Sequence, residues 1–294
     1  MSTLPRPFAQ VDVFSTTPYR GNPVAVILDA SGMTDAELQD VARWTNLSET
    51  TFVLPPSQEA AASGADYRVR IFTPGGEIPF AGHPTLGTAH AWLENGGTPQ
   101  RAGVVVQECG AGLVEINIDD SGELAFTAPP TTRSGPVSDA DLDSFCAALR
   151  IHRETVIDHQ WVVNGPEWAV VILPSAKDVL DLTPDFTDHP DLLIGVIGAY
   201  PDDESAGAEF EVRAFAPGAG VPEDPVTGSL NASVGQWLVR TGQVTGPYTA
   251  SQGTVLQRDG RVRVTPVAGT DGAGGKQNVL IGGPTTTLFR GTAR

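Results

Sequence analysis

The chain has 294 residues, long enough for about two domains with cores of their own, and its 35 acidic against 18 basic residues leave a net charge of −17. That charge repels nucleic acid and anionic lipid, and no apolar run approaches the roughly 18 residues of a membrane span, so a small-molecule partner and a cytoplasmic location are expected. The opening residues lack a charged n-region followed by an apolar stretch, Cys109 and Cys146 form neither a CxxC pair nor a disulfide framework, and the five histidines show no metal spacing.

In chain order, Phe8 to Phe14 alternates as a strand and Val24 to Leu28 follows as a second after the turn Gly21-Asn22-Pro23. Thr34-Asp35-Ala36-Glu37 reads as a capping box opening an amphipathic helix to about Thr45. Glu49 then stands where this helix hands over to an apolar strand ending at Leu54. An acid in that position is ordinarily a solvated loop residue, and it gains interest only if a cleft opens at that edge.

Tyr67 to Phe72 alternates as a further strand, followed by a Gly- and Pro-rich turn and a helix of small residues, with Pro84 suited to the first helical position. Strands at 103–108, 113–119 and 124–127 follow, and the Pro- and Ser-rich stretch 129–136 is the best boundary. Ser138 caps a helix through Leu142, Phe145 and Leu149, with Cys146 near its buried stripe. Later strands fall around Gln252-Gly253, 259–264 and 278–281, with Asp271 to Gly275 as a flexible loop between the last two.

The segment beginning Arg70-Ile71-Phe72 occurs twice. Arg213-Ala214-Phe215 starts a copy that keeps Arg, Phe, Pro, Gly and Pro in the same five places, at an offset of 143. Val26-Ile27-Leu28 matches Val171-Ile172-Leu173 at 145, and Trp92 matches Trp237 at the same offset. In each copy a helix start, Gly82-His83 or Gly228-Ser229, presents N–H groups and a positive dipole end, a plausible anion corner. At these offsets Glu49 falls on Ile194 and Asp224 on Ala81, so the two halves have diverged in the residues able to do acid–base work. Gly218-Ala219-Gly220 approaches a dinucleotide fingerprint but has Glu223 where a third glycine belongs.

The motifs Asn46-Leu47-Ser48-Glu49-Thr50, Pro79-Phe80-Ala81-Gly82-His83-Pro84 and Glu223-Asp224-Pro225-Val226-Thr227-Gly228-Ser229 resemble the PhzF-like family, named for its phenazine-biosynthesis isomerase. The resemblance spans nearly the whole chain. It implies an α+β, diaminopimelate-epimerase-like fold of two pseudo-symmetric domains, each a barrel-like sheet around a central helix, with the active site in the cleft between. Domains at 1–130 and 131–284 are expected, with the last strand, about 285–294, free to return to the first. The resemblance also implies a homodimer, no cofactor and a small carboxylate-bearing substrate. Glu49 matches the family's general base and acid, His83 and Asp224 the polar groups that hold the substrate and assist the proton, and Gly82, Gly228 and Ser229 the carboxylate anchor. Leu230 departs from the pattern where a small residue belongs, and is expected to narrow the pocket.

Two other readings make distinct demands on the sequence. A two-thiol racemase on the same fold would need a cysteine at each helix start, where Cys109 and Cys146 do not stand. A non-catalytic binding or scaffold protein of this fold would show its character by losing Glu49, His83 or Asp224, and all three are present.

Overall fold

The computed structural model describes residues 5–201, 207–219, 221–268 and 277–294. The expected loop at Asp271 to Gly275, and Gly220 of the glycine pair, lie outside them. The chain divides into two compact units, residues 1–127 with 282–294, and residues 128–281.

The first unit begins with strands β1 (Arg6–Val13) and β2 (Asn22–Ile27), helix α1 (Asp35–Thr45), β3 (Glu49–Leu54) and the one-turn α2 (Gln58–Ala62). It continues with β4 (Tyr67–Thr73), β5 (Gly76–Ile78), helix α3 (Gly82–Glu94), β6 (Val104–Cys109), β7 (Gly112–Ile118) and β8 (Leu124–Thr127). The Thr34 capping box forms as expected, with Thr34 and Glu37 bonding reciprocally. Asn46 ends α1 in the left-handed region at φ 52°, which turns the chain directly into Glu49.

The second unit contains β9 (Arg133–Gly135), α4 (Asp139–Leu149), β10 (Asp158–Val163), β11 (Ala169–Ile172), α5 (Ala176–Leu180), β12 (Ile194–Ala199), β13 (Phe210–Ala216) and β14 (Val221–Asp224). Helix α6 (Gly228–Arg240), β15 (Tyr248–Gln252), β16 (Gly260–Ala268) and β17 (Gln277–Gly283) follow, and β18 (Thr285–Ala293) pairs antiparallel with β1 of the first unit.

The duplication is written in the strand pairing. In the first unit β1–β2 is antiparallel, β2–β3 parallel, β3–β4 and β4–β5 antiparallel, β4–β6 parallel and β6–β7 antiparallel. The pairs β10–β11, β11–β12, β12–β13, β13–β14, β13–β15 and β15–β16 repeat that sequence of directions. Each unit therefore has the α+β, sheet-around-a-helix architecture of the diaminopimelate-epimerase-like fold. Helix α3 is buried along most of its length, and a Cβ added at Gly87 would stand 2.4 Å from Val24 Cγ1. Close approach of helix to sheet is the reason for the small residues there.

The ladders also correct the register of the repeat. Phe52 pairs with Arg70, and Val196 with Arg213, so with the two arginines as equivalents β3 and β12 correspond at an offset of 144 rather than 145. A one-residue slip turns every side chain to the opposite face. Glu49 therefore corresponds to Leu193, not Ile194. On the next hairpin Ile71 pairs with Ile78 and Ala214 with Asp224, so the counterpart of Asp224 is Ile78 rather than Ala81. Neither acid has an acidic counterpart.

Two local expectations also shift. Helix α3 starts at Gly82, which puts Pro84 third rather than first, still within the turn whose N–H groups have no helical acceptor. The strand expected to end at 108 runs one residue further, with Cys109 closing β6 opposite Gly112 at the start of β7. No helix among the described residues is long and apolar enough to cross a membrane.

Candidate functional site

The first residue of β3, Glu49, and the second of α3, His83, meet inside the first unit. Glu49 Oε2 lies 3.5 Å from His83 Nε2, with side chains 15 % and 5 % exposed. The parallel pairing of Val24 with Glu49 brings β2 alongside, and Asn22, its first residue, places Nδ2 3.4 Å from His83 Nδ1. Burial pushes His83 down to about 3, against the Pro23 backbone hydrogen bond, which raises it. At neutral pH the ring is uncharged, so Glu49 faces a neutral imidazole rather than an ion-pair partner. In one tautomer the ring offers Glu49 an N–H; in the other it offers a lone pair that accepts a hydrogen bond from the protonated carboxyl group.

This gives a pH prediction. The folded pKa of His83 lies below its ordinary value of about 6.5, so the unfolded chain binds the extra proton and stability falls as pH drops from about 6.5 towards 3. Between pH 7 and 4.5 the parent protein is expected to lose about 2–3 kcal/mol more than the His83→Gln variant. Urea unfolding at the two pH values measures it, and equal losses in both proteins would refute it.

In the second unit Asp224 ends β14 and Thr227 precedes α6. Thr227 Oγ1 donates to Asp224 Oδ2 at 2.6 Å, while Gln252 ties the corner together: its Oε1 accepts from Thr227 N at 3.0 Å and Asn231 Nδ2 at 2.9 Å, and its Nε2 donates to Thr227 Oγ1 at 2.9 Å and to the Asp224 carbonyl at 3.1 Å. Ser229 Oγ accepts from the indole N–H of buried Trp168 at 3.1 Å. With that acceptor position filled, the Ser229 hydroxyl is biased to donate its own proton. Leu230 is buried, its side chain occupying the space beside Gly195 where a Cβ would come within 2.5 Å. It compensates for a glycine in the neighbouring strand.

Helices α1, α2, α4 and α5 each carry a Ser or Thr cap whose side chain accepts from the first turn. The central helices α3 and α6 follow Ala81 and Thr227 and have no such side-chain bond. Their first-turn N–H groups, at Gly82-His83 and Gly228-Ser229, are thus left for other acceptors.

The structure therefore joins Glu49 to His83 and, separately, groups Asp224 with the Gly228-Ser229 helix start. Trp168 and the Thr227–Asn231–Gln252 network were not assigned roles from sequence. Which of these side chains bonds to which depends on strand register, which the sequence does not carry. Among the described residues no group of three or more His, Cys, Asp or Glu is placed to hold a metal. Cys109 and Cys146 are buried, and burial pushes both thiols up.

Comparison with known proteins adds the lineage. The chain is 36 % identical over 295 residues to antisense-enhancing sequence 1 of Schizosaccharomyces pombe, covering 97 % of each chain. It is 36 % identical over 242 residues to trans-2,3-dihydro-3-hydroxyanthranilate isomerase of Pseudomonas fluorescens, covering 80 % of each. A Bacillus anthracis phenazine biosynthesis protein of the PhzF family has the same fold, with a TM-score of 0.82 at 23 % identity over 99 % of this chain and all of that one. Residues 11–291 match the family described as phenazine biosynthesis-like protein, and the chain belongs to that family.

Proposed function

We propose that this protein is a cofactor-independent isomerase that moves a proton between carbons of a small carboxylate-bearing substrate, a cyclic amino or hydroxy acid. The observation that carries the proposal is the buried Glu49–His83 contact at 3.5 Å, in a family whose members include a named isomerase at 36 % identity. Glu49 takes a proton from one carbon and becomes a carboxylic acid; it returns a proton to another carbon and is again a carboxylate. Neutral His83 holds that carboxyl group in place. Asp224 holds a polar substituent of the substrate, and the N–H groups near Gly82 and Gly228, with Ser229, take the carboxylate and the charge that builds during transfer.

The test is incubation with trans-2,3-dihydro-3-hydroxyanthranilate and a panel of related cyclic acids in D2O. Deuterium entering at carbon, with release of an isomer, is the expected result. The Schizosaccharomyces pombe relative, equally similar over more of the chain, is named antisense-enhancing sequence 1, and a non-catalytic small-molecule-binding or scaffold role is the second reading. Binding without any exchange across the panel would select it.

The role given to Ser229 has its own check. Ser229→Ala and Trp168→Phe are each expected to weaken substrate binding by roughly 3- to 10-fold, the scale of one hydrogen bond, and the double variant to be no worse than Ser229→Ala alone. Additive losses measured by calorimetry would separate Trp168 from the anchor.

A further inference from the structure

Strand β3 and helix α3 hold a second polar contact, below the one between Glu49 and His83. Two residues after Glu49, on the same face of the strand, Thr51 Oγ1 accepts a hydrogen bond from Thr88 Oγ1 of α3 at 2.8 Å. Thr51 in turn donates to the Ala25 carbonyl of β2 at 3.4 Å. Both threonines are fully buried. From Glu49 to Thr51 the strand advances about 6.6 Å and from His83 to Thr88 the helix advances about 7.5 Å, so the two elements descend together from one contact to the next.

The second unit shows the same level of the repeat without the acid. At the offset of 144, Thr51 corresponds to Gly195, as Glu49 does to Leu193. There the helix side is filled by Leu230, whose Cδ1 would stand 2.5 Å from a Cβ on Gly195. Apolar contact of that kind is non-directional, whereas a hydrogen bond between two hydroxyls fixes distance and angle. Burying hydroxyls also carries a desolvation cost that leucine over glycine avoids. The costlier, directional contact stands in the copy that carries the acid.

We infer that Thr51 and Thr88 are positioning residues: their bond sets the height and rotation of α3 against β3, and so holds His83 Nε2 at Glu49 Oε2. Without the Thr51 hydroxyl, Thr88 turns back to the carbonyl four residues earlier, at Pro84, a bond that bends helices. Pro84 directly follows His83, so the bend falls in the turn that carries the imidazole. The effect on rate rests on the proton transfer proposed above; the geometry does not.

Thr51→Val keeps the shape and removes the hydroxyl; Thr51→Ser keeps the hydroxyl and removes a methyl. With trans-2,3-dihydro-3-hydroxyanthranilate as probe in D2O, hydrogen exchange is expected to fall roughly tenfold in Thr51→Val and in Thr88→Val, while the probe's dissociation constant stays within about twofold. The double variant is expected to be no slower than either single one, and Thr51→Ser to exchange at nearly the parental rate. Thr50→Val is the comparison, because Thr50 is equally buried and its Oγ1 lies 2.7 Å from Thr45 Oγ1 of α1, on the opposite face of β3. It is expected to leave the rate unchanged. The His83 ring resonances, followed by NMR, are expected to move in Thr51→Val and Thr88→Val and to stay in place in Thr50→Val and Thr51→Ser. Parental exchange in Thr51→Val, slower exchange in Thr51→Ser than in Thr51→Val, or equal losses in Thr50→Val and Thr51→Val would each overturn the assignment. If the parent exchanges neither the probe nor any related cyclic acid, the proposed chemistry fails and the resonances decide the positioning alone: unmoved in Thr51→Val, they overturn it.

Discussion

Glu49→Gln is expected to fold and bind substrate much as the parent does, yet to lose exchange of substrate hydrogen with solvent deuterium by on the order of a hundredfold or more. Glutamine keeps the size of the side chain and can still bond to His83 Nε2, 3.5 Å from Glu49 Oε2, but it cannot carry a proton between carbons. The neighbouring imidazole does not replace it, because burial leaves His83 neutral with a pKa of about 3 and hence a very weak base. Asp224→Asn and His83→Gln are expected to weaken binding as well as turnover, since both are assigned to holding. Single-turnover exchange with binding measured separately distinguishes these patterns. If Glu49→Gln exchanged at the parental rate while Asp224→Asn abolished exchange, the base would be Asp224 and the roles would be reversed.

A second large effect is expected away from the chemistry, at Arg213. The duplicated hairpins each hold a bidentate arginine–glutamate clamp: Arg70 on Glu77 at 2.8 and 2.5 Å, and Arg213 on Glu223 at 2.8 Å twice. Each guanidinium also lies over the phenylalanine two residues on, at 5.1 and 4.9 Å from the ring centroid. Their surroundings differ. Arg213 and Glu223 are 4 % and 12 % exposed, and Arg213 Nη1 also donates to the carbonyls of Val179 and Leu182. Arg70 and Glu77 are 18 % and 41 % exposed, and the third partner, Asp35, is 84 % exposed. Removing Arg213 strands a buried carboxylate and two carbonyls, so Arg213→Ala is expected to cost about 3–5 kcal/mol. Arg70→Ala, with water free to replace the lost partner, is expected to cost about 1 kcal/mol or less. Urea unfolding followed by tryptophan fluorescence compares the two, and equal losses would show that burial does not set the difference.

Much of this is legible in the sequence. The Thr34 capping box, the Ser138 cap and the repeated Arg-x-Phe segment depend on residues close in sequence, where local chemistry decides the outcome. Glu49 and His83 were selected from motifs in a family pattern, and their meeting follows from β3 and α3 belonging to one unit. What sequence could not supply was register. Matching tryptophans and Val-Ile-Leu runs gave an offset of 145, whereas the ladders around Arg70 and Arg213 set 144 at β3 and β12, because small insertions are absorbed in turns without trace in the strands. The same gap hid the Trp168–Ser229 bond, which joins residues 61 apart through the start of α6. Strand β12 is disguised in the sequence: Ile194-Gly195-Val196-Ile197-Gly198 carries two glycines, one making room for Leu230 and the other meeting the Ser175 backbone, where a buried strand ordinarily carries larger side chains.

Strand β18 lies along β1 from Arg6 opposite Ala293 to Val13 opposite Thr285, while Thr285 Oγ1 reaches His90 Nδ1 at 2.9 Å and Thr287 Oγ1 donates to Glu94 Oε2 at 2.5 Å. The first unit is thus built from the two ends of the chain, whereas the second is one continuous segment. On the ribosome, this reverses the usual order in which domains are completed. The second unit has all its strands as soon as Ile281 emerges, but β1 must wait for its neighbour through the whole synthesis of residues 128–281, roughly 8–30 s at ordinary elongation rates. During that interval the nascent chain exposes the β1 edge that β18 will later cover, and chaperone demand is expected to be greatest there.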